Sequence, residues 1–118
     1  MGVFKTAQER LHPIYGALQP WDSGNGVRCT NELKGRVTLY SKNLASGNLA
    51  ELAFEIPTMA ARAGETEESA RALVEAMKKA TGQDVNIDPV WRWPRVGLSK
   101  TEHVDMVIER LSAFFKLV

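Results

Sequence analysis

Apolar residues recur along the first segment at three- and four-residue spacing. Phe4, Ala7, Leu11, Ile14, Tyr15 and Leu18 fall on one helical face. Thr6 and Glu9 have the spacing of a capping box. Pro13 lacks an amide donor and pushes His12 away from helical angles, so a kink or break is expected there. Residues 19–26 are crowded with Pro20, Asp22, Ser23, Gly24, Asn25 and Gly26 and read as a loop. A β region follows. Val27–Thr30 is a short strand, and Asn31, Glu32 and Gly35 supply turn chemistry. Arg36–Lys42 alternates, with Val37 and Leu39 on one face and Arg36, Thr38, Tyr40 and Lys42 on the other. After a connection at Gly47 and Asn48, the residues Ala50, Leu52, Phe54 and Ile56 share a face opposite Glu51 and Glu55.

Past Pro57 the period changes. Thr58–Ala63 reads as a helical turn closed by Gly64. Thr66 is the expected N-cap of a helix with the stripe Ala70, Leu73, Val74, Met77 and Ala80, stopped by Gly82. Val85–Asp88 and Val90–Val96 read as extended, with Pro89 and Pro94 marking an edge or irregular strand. Ser99 and Glu102 match a capping box before a last helix striped by Val104, Val107, Ile108, Leu111, Phe115 and Val118. The order α-β-β-β-α-β-α predicts a two-layer α+β domain spanning residues 1–118. Its sheet is expected to be four-stranded and mostly antiparallel, with helices on one face.

Length agrees with a single domain. A chain of 118 residues buries roughly two-thirds of its unfolded surface and needs neither disulfide nor metal to fold. An apolar share of 44% with a net charge of +1 argues against intrinsic disorder. No apolar run approaches the ~18 residues of a membrane span, so no membrane partner is expected. One cysteine, Cys29, excludes an internal disulfide and fits a reducing compartment as a small buried strand residue. Residues 1–12 lack the apolar stretch of a secretory signal, and the cytoplasm is the expected location. Met1–Thr6 matches the loose N-myristoylation pattern, which is too short and common to carry weight.

Motifs that carry chemistry are scarce. His12 and His103 are the only histidines, and no spacing pairs either with Cys29 as a nucleophile. No His-x-x-x-His or Cys-x-x-Cys pair suggests zinc, and no phosphate loop follows Gly24–Gly26, so neither metal nor cofactor is expected. Asp22, Glu32 and Lys34 loosely match the carboxylate–lysine pattern of Mg²⁺-dependent nucleases. Trp21 interrupts that pattern, and Glu32 and Lys34 fall in a turn.

Charge distribution says more than net charge. Between Gly26 and Asn43 the bases Arg28, Lys34, Arg36 and Lys42 meet one acid, Glu32. Between Pro89 and Lys100 there are Arg92, Arg95 and Lys100 and no acid. The acids Glu51, Glu55, Glu65, Glu67, Glu68, Glu75, Asp84 and Asp88 lie in the middle third. If the basic strands are neighbours, their solvent face carries a positive patch. Aromatic residues fall in the same stretches, with Tyr40 beside Arg36 and Lys42, and Trp91 and Trp93 beside Arg95. Stacking rings next to cations suit single-stranded nucleic acid. The tryptophans serve equally well as core against the helices.

The leading expectation is a non-enzymatic binding or accessory domain that holds a polyanion such as nucleic acid. The expected site is Arg28, Arg36, Tyr40, Lys42, Trp91, Arg92, Trp93 and Arg95. The second expectation is a protein-interaction module, a homodimer included. The third is a metal-dependent nuclease-like enzyme using Asp22, Glu32 and Lys34.

Overall fold

The computed structural model of the protein describes residues 2–20, 24–82 and 93–117. A five-stranded sheet runs in the order β1-β2-β3-β4-β5, with every neighbouring pair antiparallel. The strands are β1 (Gln19–Pro20), β2 (Gly26–Cys29), β3 (Val37–Tyr40), β4 (Ala50–Phe54) and β5 (Arg95–Leu98). The helices are α1 (Val3–Tyr15), α2 (Ile56–Ala63), α3 (Glu67–Thr81) and α4 (Thr101–Phe114). A 3-10 turn, Glu32–Lys34, joins β2 to β3. The α+β class and the antiparallel meander agree with the sequence. The strand count does not: β1 adds a fifth strand from a stretch read as loop. Two residues, one of them proline, leave no alternation to detect.

Strand alternation divides the sheet into two faces. Val27, Leu39, Leu52 and Val96 stand in register on the inner face, as do Cys29, Val37 and Phe54. All of them are buried, and with the apolar stripes of the four helices they form one core cluster. Cys29 is the buried, free strand thiol its setting suggested.

Helix boundaries show where local signals were overridden. α1 runs through Pro13 without a break. Pro13 lies near the helix end, where only the carbonyl of exposed Glu9 loses its partner to the missing amide. Helix α1 starts before the expected Thr6 cap, with Gly2 at the N-cap. The α2 helix is longer than one turn, because Pro57 occupies its first turn, where no amide donor is needed. Thr66 caps α3 as expected, accepting from the Ser69 amide at 3.0 Å.

At α4 the expected Ser99 cap is replaced by a histidine. The Ser99 amide donates to His103 Nδ1 at 3.1 Å, and Lys100 occupies the N-cap without a side-chain bond. Burial, reinforced by Lys100 and opposed by Glu102, holds the His103 imidazole below its ordinary value. His103 is therefore neutral in the fold and protonates more readily in the unfolded chain. The resulting stability is complete above the unfolded value near about 6.5 and is lost as pH falls through it towards the lower folded value. Melting temperature should fall below about pH 6.5, and His103→Asn should flatten that part of the profile. Parallel profiles for the two proteins would mean that another group titrates.

Candidate functional site

Alternation on β3 carries Thr38 and Tyr40 to the outer face, where the register sets two rows across the sheet. One row is Arg28, Thr38, Ala53 and Arg95; the other is Gly26, Tyr40, Glu51 and Gly97. The expected basic face is thereby interrupted. Of the basic strands, β2 and β3 are neighbours, but β4, the acidic strand, lies between β3 and β5 and sets β5 apart.

Glu51 is the centre of this outer face and only 1% exposed. Its Oε1 accepts from Arg95 Nη1 at 3.1 Å. Its Oε2 accepts from the Ala45 amide at 2.7 Å and from Asn48 Nδ2 at 2.9 Å. Arg95 stands diagonal to Glu51 across the β4–β5 ladder, a spacing that long side chains bridge. The Arg95 guanidinium also lies 3.8 Å from the centroid of the Tyr40 ring. Arg95 thus spends its charge within the protein, and it occupies a face of the tyrosine that was expected to stack on a base. Asn48 sits directly over Gly97, where any Cβ would collide with its amide.

Arg36 is similarly engaged. Its Nη2 donates to Glu32 Oε1 at 2.6 Å and its Nε to the Thr30 carbonyl at 3.3 Å. Its Nη1 lies 3.6 Å from Glu55 Oε2. Lys42 is exposed beyond β3, and Arg28 is exposed on β2. Trp93 is half-buried and outside the core cluster. Trp91, Arg92 and Asp22 lie outside the described residues. Of the nuclease-like candidates, Glu32 and Lys34 occupy the exposed 3-10 turn, and the Glu32 carboxylate is bonded to Arg36. Among the described residues no group of three or more His, Cys, Asp or Glu could hold a metal ion. Among the same residues, no helix is long and apolar enough to cross a membrane.

The structure joins cations at a different place. A cleft of about 360 Å³ opens between the end of α1 and the C-terminal end of β2, lined by Tyr15, Gly16, Arg28, Cys29, Asn31 and Lys34 among others. Each wall has a local cause. Gly16 ends α1 with φ of 76°, a backbone state that favours glycine, and a Cβ there would stand 3.0 Å from Lys34 Nζ. Asn31 caps the 3-10 turn by accepting from the Leu33 amide at 2.9 Å. Arg62, 4.4 Å from the centroid of the Phe115 ring, holds the turn by donating to the Lys34 carbonyl at 2.8 Å.

The C-terminal end of α1 contributes about half a negative charge to this cleft. Arg28 and Lys34 also line it and carry positive charge. The Tyr15 hydroxyl is buried with no hydrogen-bond partner. Such an orphan costs about 1–3 kcal/mol. Burial pushes this phenol far above its ordinary value, so it stays protonated and able to donate. A weak bond from Cys29 Sγ to the Tyr15 carbonyl, at 3.8 Å, ties β2 to the helix end.

The sequence places Lys34 among the bases of the Gly26–Asn43 stretch and in the nuclease-like pattern, and Tyr15 on the apolar face of the first helix. Glycine at 16 was the available signal for a close approach. Nothing in the sequence indicated that Lys34, eighteen residues away, would supply the approaching group. Comparison with protein-family models, curated proteins and solved structures gives no match for this chain.

Proposed function

We propose that this protein is a non-enzymatic binding domain for a polyanion, single-stranded nucleic acid in the first place. Its contact surface is β2 with its flanking turns. The observation that supports this reading is the pairing of Arg28 and Lys34 around one cleft. Lys42 is exposed beyond β3, at the opposite end of the β2–β3 hairpin from Lys34, and would be a separate phosphate contact. Arg36 and Arg95 each also face a carboxylate, and Arg95 lies against the Tyr40 ring.

Titration of a single-stranded oligonucleotide at several salt concentrations tests the reading. Each phosphate contact contributes about −0.7 to the log–log salt slope for single strands, so three contacts give a slope near about −2. Arg28→Gln, Lys34→Gln and Lys42→Gln should each flatten the slope by about 0.7, and Arg36→Gln by less. Absence of binding at low salt, or a slope indifferent to these substitutions, would remove the polyanion reading.

The second reading is a protein-interaction module, a homodimer included. A shallow groove of about 510 Å³ at Leu73, Ala113 and Phe114 favours it. Association through that groove would persist at high salt, because burial of apolar surface is not screened.

A further inference from the structure

We infer that this protein pairs with a second copy of itself through the outer face of α3, the two helices lying antiparallel about a two-fold axis at Leu73. The inference rests on the second reading above and is independent of the polyanion reading. It starts from the order of charges along one helix. α3 carries Glu67, Glu68, Arg71, Glu75, Lys78 and Lys79 and no other charged residue. Arg71 and Glu75 stand two positions either side of Leu73, and Glu68 and Lys79 stand five before it and six after it. A half-turn about Leu73 therefore sets each of these four against an opposite charge, to within about 1 Å at ~1.5 Å of rise per residue. A surface that meets its own copy about a two-fold has to be self-complementary in this way.

The helix dipole accounts for only part of that order. It favours acids in the first turn and bases in the last, where Glu67, Glu68, Lys78 and Lys79 stand. Arg71 before Glu75 runs the other way, and it is also the weaker order for an ion pair within one helix. Glu75 lies 3.5 Å from Lys78 instead, and its side chain is still 54% exposed, so it can meet a second cation. A two-fold gives this inner pair a reason that the single helix lacks. Burial decides which face is available. Ala70, Val74, Met77 and Thr81 are turned into the core. Glu68, Arg71, Ala72, Glu75 and Lys79 are exposed, and at ~3.6 residues per turn they share the opposite side. Ala72 adds no bulk there, and Leu73 is half-buried on its border, on the wall of the shallow groove. Two helices in contact at Ala72 and Leu73 bring the charged flanks together on one side of the axis. Four ion pairs and a small apolar centre make an interface at the low end of specific ones, so the dimer is weak and depends on concentration.

The test uses the full chain. Sedimentation velocity between about 1 μM and about 1 mM should show the parent protein dimerising as concentration rises. Arg71→Glu and Glu75→Arg should each weaken association by roughly tenfold or more, because two attractive pairs per dimer become repulsive. An equimolar mixture of the two variants should associate as the parent does, since each copy then carries the charges complementary to the other. That recovery cannot come from misfolded chains, and circular dichroism checks each variant alone. A parent that stays monomeric throughout the range would overturn the inference. So would a mixture that associates no better than its components. Association indifferent to both charge reversals but lost on Ala113→Glu would overturn the two-fold at Leu73 and leave the second reading, contact through the groove, in place.

Discussion

Replacing Glu51 by alanine should destabilise the protein by about 3–5 kcal/mol, the cost of stranding the partner of a buried ion pair. The carboxylate is 1% exposed and satisfies three donors from two stretches of chain: Arg95 of β5, and Asn48 and the Ala45 amide of the β3–β4 connection. Removing it leaves an arginine on the sheet face whose side chain is only 16% exposed. It also leaves the Asn48 amide without an acceptor in a residue already carrying an orphaned Oδ1. Arg95 lies partly in reach of water, which sets the lower end of the range as the expected value. A paired replacement, Glu51→Leu with Arg95→Met, should recover most of the loss, because no charge is then left buried. Urea midpoints of the three variants measure this. A Glu51→Ala midpoint within about 1 kcal/mol of the parent protein would mean that solvent replaces the lost bonds.

Leu111→Ala should cost about 2–5 kcal/mol, a large share of a small domain's stability. Leu111 is completely buried in the stripe of α4, in the same cluster as the α1 and β-strand side chains. Truncation loses the transfer free energy of the removed carbons and leaves a cavity that rigid neighbours fill only in part. Ile108 lies on the same helix but is only partly buried, so Ile108→Ala should cost clearly less. Equal midpoints for the two variants would mean that α4 is not docked through the Leu111 face.

The fold was legible wherever one physical signal repeated. The stripe Val104, Val107 and Leu111 recurs at helical spacing and is buried as read. Val37 and Leu39 fall on the opposite sheet face from Thr38 and Tyr40 as read, but Thr38 is buried there instead of facing solvent. What escaped were features set by tertiary partners. β1 is held by its pairing with β2, which two residues cannot announce. Pro13 is tolerated because it falls near the helix end, and His103 takes over the cap that Ser99 and Glu102 promised.

The candidate site was legible as a set of charges but not as a geometry. Segregation of bases from acids along the chain suggested separate surfaces. The meander instead puts β4 against β5, so Glu51 meets Arg95 across the sheet. The alternation that exposed Glu51 on paper said nothing of Ala45 and Asn48 folding over it. Lys34 and Gly16 meet through two turns, and turns carry no periodicity from which such a meeting can be read.

The most direct test of the central claim is an amide chemical-shift titration of the protein with a single-stranded oligonucleotide at low salt. The account predicts shifts concentrated at Gly16, Ala17, Cys29, Thr30, Asn31 and Lys34, fading as salt is raised. Shifts confined to the groove at Leu73 and Phe114, or no shifts at any concentration, would contradict it.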